Sequence, residues 1–141
     1  MIFGCMNLVS GRQLFLVRVR QRAEDFQAFL RKVHRHYRGW HMAMLLDSDS
    51  SHTAKGSQKL THRLKIRLLL LPKRAPELNP MDTLWGQGKD AMSVNWQFAT
   101  MNEQVNAFVA HLSGLANQEA LQTSDALSEN FWLKPVLSKN F

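Results

Sequence analysis

Between Glu24 and Tyr37 the apolar residues Phe26, Phe29, Leu30, Val33 and Tyr37 recur at helical spacing, the stripe of an amphipathic helix with one buried face. Acids open this segment at Glu24 and Asp25, and Arg31, Lys32, Arg35 and Arg38 close it, so the charges oppose the helix dipole at both ends. Gly39 supplies the stop. Upstream the period drops to two. Residues 1–9 and 12–20 read as strands around Ser10-Gly11, with Leu14, Leu16, Arg18 and Arg20 alternating against Phe15, Val17 and Val19, which predicts a hairpin with arginines along one rim.

Downstream, Met42 to Leu46 is a continuous apolar run, the pattern of a strand covered on both faces, and Ser48-Asp49-Ser50-Ser51 breaks it at once. A helix is expected from there to about His62. Ile66 to Leu71 repeats the covered-strand pattern and stops at Pro72. Asn79 reads as an N-cap, Pro80 as the first helical residue and Asp82 as the third, with Met81, Leu84 and Trp85 inward. Thr100 and Glu103 frame a capping box for a helix whose stripe is Met101, Val105, Phe108, Val109 and Leu112, ended by Gly114. Short helical pieces follow, with Phe131 and Trp132 as anchors; Trp85, Trp96 and Trp132 sit among apolar neighbours and read as packing residues. The order hairpin, helix, strand, helix, strand, helix, helix is an α/β layer arrangement with mixed strand directions. One domain over 1–141 accommodates it, with a hairpin at 1–20, an α/β part at 24–99 and helices at 100–141.

Composition narrows the chemistry. The 141 residues, 45% hydrophobic and 21% charged, suit a folded domain. No apolar run reaches the eighteen or so residues of a membrane span, and the first residues lack the basic region of a secretory signal, so no membrane partner and a cytoplasmic location are expected. A single cysteine, Cys5, removes internal disulfides and all-cysteine zinc sites. The net charge of +7 is uneven: residues 1–75 hold 15 Lys/Arg against 4 Asp/Glu, and residues 76–141 hold 3 against 7. A basic first half would attract a polyanion and release its counterions, though a solvated basic surface fits the charge equally well.

Two acids stand out. Asp47 ends the Met42–Leu46 run, and Asp82 opens the helix after Leu71-Pro72-Lys73-Arg74-Ala75-Pro76-Glu77-Leu78-Asn79-Pro80-Met81. Two carboxylates at a sheet edge can hold hard divalent cations through oxygen. Taken singly, Asp47 is as well explained by an Asx-turn and Asp82 by the helix dipole. Asn79 and Pro80 are explained as cap and first-turn residues. His52 either approaches the acids or packs on its own helix. Lys73, Arg74 and Lys89 flank the acids as candidate DNA contacts, or are ordinary surface charges.

Together, Asp47-Ser48-Asp49-Ser50-Ser51-His52, Leu71-Pro72, Ala75-Pro76-Glu77-Leu78-Asn79-Pro80-Met81-Asp82, Leu84-Trp85-Gly86 and Lys89 resemble the second and third acidic motifs of the mariner-like, insertion-sequence branch of the DDE transposases. Asp47 and Asp82 have 34 residues between them, the spacing typical of that branch. The resemblance runs from about Gly4 to Trp132. It implies an RNase H-like fold, a mixed sheet with flanking helices. It also implies catalysis of DNA cleavage and strand transfer with Mg²⁺ or Mn²⁺, two ions in a complete site, with Asp47 and Asp82 as catalytic metal ligands. The expected partner is DNA, transposon ends and target, on the chromosome.

The chain also departs from the pattern. The family's first acid lies on a central strand ahead of a segment like Met1 to Arg20, so this chain is expected to lack that strand, its acid and the helix-turn-helix region before it. Ser48 stands where Asn is usual, and Asp82 where this branch more often has Glu. The hairpin and the Met42 strand are then expected to flank a gap with unpaired edges, and the chain alone to be inactive or nearly so. A non-catalytic DNA-binding remnant is the competing reading, and a homodimer or a separate polypeptide carrying the first acid are further candidate partners.

Overall fold

The computed structural model describes residues 2–20, 22–95 and 100–137. Strand β1 (Ile2–Met6) pairs with β2 (Gln13–Val17) as a two-stranded sheet, and the short connection makes the pair an antiparallel hairpin. Both strands are shorter than the alternation predicts. The Asn7 side chain accepts from the amides of Val9 at 2.8 Å and Ser10 at 3.0 Å, which turns the chain before the strand reaches residue 9.

Helix α1 (Ala23–His36) forms where the apolar stripe predicts it, and buries Phe26, Phe29, Leu30 and Val33. Asp25 in its first turn accepts from the Arg22 amide at 3.1 Å, so this acid does the helix-start work that its position suggests. Phe3 stacks on Phe29, with ring centroids 5.8 Å apart.

Strands β3 (Met42–Leu46) and β4 (Ile66–Leu70) are parallel, in register from Met42 opposite Ile66 to Leu46 opposite Leu70. The expected single helix between them is two: α2 (Ser50–Thr53) and α3 (Lys55–Leu64). Ala54 between them has extended backbone, φ −57° and ψ 144°. The Thr53 hydroxyl turns back to the carbonyls of Asp49 and Ser50, local side-chain bonding of the kind that competes with helix continuation. Lys65 closes α3 in the left-handed region, φ 58°.

The strands are not covered on both faces as their apolar runs predict. Ala43 and Leu69 are exposed, and Leu70 is 44% exposed. Among the described residues β3 and β4 pair only with each other, as do β1 and β2, so no neighbouring strand extends either layer.

Contacts divide the chain into two units. The first comprises Met1–Phe3 and Phe15–Asn79, the second Gly4–Leu14 and Pro80–Phe141. In the first, α1 packs on α2 and α3. In the second, α4 (Pro80–Asn95) packs on α5 (Met101–Ser113) and α6 (Asn117–Thr123), with α7 (Lys134–Leu137) beyond. The core of this second unit includes Leu84, Phe108, Leu112, Ala120, Leu121 and Ala126.

Thr100 caps α5 by accepting from the Glu103 amide at 3.1 Å, as its sequence predicts. The α5 stripe holds at Phe108 and Leu112 but not at Met101, which is 72% exposed in the first turn. Trp85 meets Phe108 edge to face at 5.6 Å. Trp132 is exposed and meets Phe131 in a tilted contact. Trp96 lies outside the described residues. No described helix is long and apolar enough to cross a membrane.

Candidate active site

Parallel pairing sets the carboxyl ends of β3 and β4 side by side. The Leu71 amide donates to the Leu46 carbonyl at 2.7 Å, one residue before Asp47. The Ser48 hydroxyl, one residue after Asp47, donates to the Leu71 carbonyl at 2.7 Å. Asp47 therefore leaves the sheet with both of its neighbours tied to the other strand. Open α/β sheets bind ligands at such carboxyl ends. Ser48→Ala is expected to cost about 1 kcal/mol by removing this half-buried hydrogen bond, read as a shift of the urea midpoint with an unchanged slope. A neutral effect would mean that Ser48 does not brace the strand end.

His52 folds back over the same end. Its Nδ1 lies 2.9 Å from Asp47 Oδ1 and 3.0 Å from the Asp47 carbonyl oxygen. The His52 ring packs on Phe26 of α1 with centroids 4.4 Å apart. The His52 side chain is only 13% exposed while that of Asp47 is 61% exposed, so a largely buried ring holds one oxygen of an accessible carboxylate. The His52 ring packs against α1 rather than on its own helix, and its Nδ1 reaches Asp47. Nothing in the spacing of the two residues signals the second contact, because a helix turn between them has to reverse the chain.

Lys73 and Arg74 follow Leu71-Pro72 in an exposed turn at this end of the sheet. Arg74 has left-handed backbone, φ 58°, an arrangement costing roughly 1–2 kcal/mol for a side-chain-bearing residue. A short 3₁₀ turn at Pro76–Leu78 leads to Asn79 and then to Pro80, the first residue of α4, so that helix starts where the Asn-Pro pair predicts. Asp82 is in its first turn and exposed, where the N-terminal dipole favours a carboxylate. Lys89 is exposed on the same helix, seven residues on. Seven residues is nearly two turns, so Lys89 and Asp82 share one face about 10 Å apart along the axis.

The structure thus gathers Asp47, Ser48, His52, Lys73 and Arg74 at one sheet end within the first unit, and Asp82 and Lys89 on one helix face within the second. The donor chemistry of an accessible carboxylate with one oxygen braced and the other open suits a hard divalent cation. The number of donors is short of a full site: no group of three or more His, Cys, Asp or Glu side chains placed to hold a metal occurs among the described residues. Ser48 carries a role that the sequence reading did not assign to it.

Comparison with known proteins follows the same lines. The family model described as "DDE superfamily endonuclease" matches residues 1–105, a span that includes both acids. No curated protein matches the chain. Among solved structures, the fold is similar to that in the crystal structure of the catalytic domain of Mos1 mariner transposase. The TM-score is 0.71 at 17% identity, covering 92% of this chain and 69% of that one. Two structures of the Mos1 transposase catalytic domain with Raltegravir, one with Mn and one with Mg, match with TM-scores of 0.73 and 0.72 at 18% identity. Each covers 99% of this chain and 76% of its own. The mixed α/β, RNase H-like fold class expected from the motifs is the one observed.

Proposed function

Since this chain belongs to the DDE superfamily endonucleases, we propose that it is a catalytic fragment of a mariner-like transposase that cleaves and joins DNA when complete. Asp47 and Asp82 are two of its metal-holding carboxylates. The observation that carries this reading is the position of Asp47: at the carboxyl end of a parallel strand pair, accessible, with His52 bracing one of its oxygens. Mg²⁺ or Mn²⁺, when bound, would lower the pKa of an attacking water or 3′-hydroxyl and stabilise the leaving oxygen.

The rest falls to the chain's own residues. His52 limits the orientations open to the Asp47 carboxylate before any cation arrives. Asn79 and Pro80 fix where α4 starts and so put Asp82 in its first turn. Lys73, Arg74 and Lys89 offer cations to phosphate oxygens near the two acids, which positions DNA without reading its sequence. In this reading the partners are the transposon ends and the target DNA, with a second copy or a polypeptide bearing another acid completing the assembly, and the protein works on chromosomal DNA.

With no group of three ligating side chains among the described residues, the chain by itself is expected to leave supercoiled plasmid uncut in Mg²⁺ or Mn²⁺. It should still bind Mn²⁺ weakly, measured by water-proton relaxation. Loss of a residue that only braces a ligand lowers metal affinity about 10–100-fold, so Asp47→Ala and Asp82→Ala should each lower it at least about tenfold. Mn²⁺ binding that neither substitution changes would sink the metal-ligand assignment. Nicking by the chain alone, abolished by either substitution, would overturn the claim that it is incomplete.

A further inference from the structure

Helices α1 and α3 pack against each other and, with the end of β2, border an open concavity of about 470 Å³. Among the described residues Arg18, Arg31, Lys32, His34, Arg35 and Arg63 line it, and no Asp or Glu does. Several of these have local reasons to be where they are. Arg35 and Arg63 lie in the last turns of their helices, where a cation opposes the dipole. Arg18 pairs with Asp25 at 3.8 Å, and Lys32 donates to the Phe15 carbonyl.

Those local reasons leave three facts over. Arg31 and Arg35 are four residues apart on one helix, a like-charge spacing that weakens a helix on its own. Cations from α1, α3 and the residue after β2 line one concavity, where the field of like charges is focused rather than spread. The Nδ1 of His34, a residue of the lining, is buried and has no hydrogen-bond partner among the described residues, which leaves an unpaired polar atom behind the wall.

We propose that this cavity binds the phosphodiester backbone of DNA, as an anchoring site apart from the Asp47 end of the sheet. The occupant is a DNA strand rather than a free anion because the cations are spread over two helices and the residue after β2, as a run of phosphates requires. The inference depends on the proposed function only for its choice of polyanion.

The test is the salt dependence of binding to a fluorescein-labelled DNA duplex, read by anisotropy, with the full chain. Arg31→Gln/Arg35→Gln/Arg63→Gln should reduce the slope of log K against log salt by about 2–3, since each lost phosphate contact removes about 0.9. Lys55→Gln/Lys59→Gln/Lys65→Gln, the same charge change elsewhere, should reduce it by less than about 1. Equal losses in both variants would mean a diffuse field and overturn the site, as would an unchanged slope in the arginine variant. If that variant does not fold, Arg31→Gln alone should lower the slope by about 0.9, and no change would reject the site. Displacement of DNA by inorganic phosphate beyond that by chloride at equal ionic strength would assign the cavity to a free anion instead. Mn²⁺ binding by water-proton relaxation reports on the metal reading and the salt slope on this one, so failure of either gives a different result.

Discussion

Gly11→Ala is expected to destabilise the second unit by about 3 kcal/mol or more. Gly11 sits in the β1–β2 connection with φ +82°, a backbone region that costs a side-chain-bearing residue about 1–2 kcal/mol. The space is the larger problem. A Cβ there would lie 2.1 Å from the Asn117 carbonyl oxygen, 2.7 Å from its carbon and 3.0 Å from Leu121 Cγ. The first two are backbone atoms of α6, which no rotamer change can move. Overpacking adds about 1–3 kcal/mol, so the thermal midpoint should fall by roughly 10 °C.

Gly39→Ala isolates the two causes. Its φ is +87°, but nothing lies within 4 Å of the added carbon. It should lose only the backbone term, about 1–2 kcal/mol. Equal losses at the two sites would mean that the hairpin turn does not seat on α6 as described.

Leu30→Ala should cost about 2.7–5 kcal/mol, measured by urea unfolding. Leu30 is 0% exposed at the centre of the buried face of α1, and its removal leaves a cavity among neighbours that are themselves packed. Leu70→Ala, on the half-exposed end of β4, should cost less than about 1 kcal/mol, because little of that side chain leaves water on folding. Both leucines lie in apolar segments that read as buried from the sequence, so the pair separates pattern from packing. Comparable losses would place a covering layer over β4 and reject the open face described above.

The contrast between these two leucines shows how far the sequence could be read. In α1, a stripe at helical spacing, acids in front and bases behind all act within one or two turns of chain, and they agree with each other; the helix and its buried face follow from them. The start of α4 is similarly local, because Pro80 has the fixed φ of a first helical residue and Asn79 precedes it. That places Asp82 in a first turn before any tertiary contact is considered. Thr100 and Glu103 set the start of α5 in the same way. Where only composition argued, the reading failed. The apolar run at β4 was expected to be covered on both faces, yet an apolar run states a demand for cover and does not supply the neighbour that meets it. Met101 and Trp132 fall short of the core for the same reason.

The sequence by itself determined the order and type of most elements, the positions of Asp47 and Asp82 at a strand end and a helix start, and the family to which the chain belongs. These rest on hydrogen bonds and steric preferences spanning a few residues, and on motif residues at fixed spacing. Only the meeting of distant segments made Ser48 and Leu71 pin the chain on both sides of Asp47, turned His52 back to brace its carboxylate, and set arginines of two helices and the residue after β2 along one concavity. Each of those facts depends on segments far apart in the chain meeting in space, and on which of them is left facing water when they do.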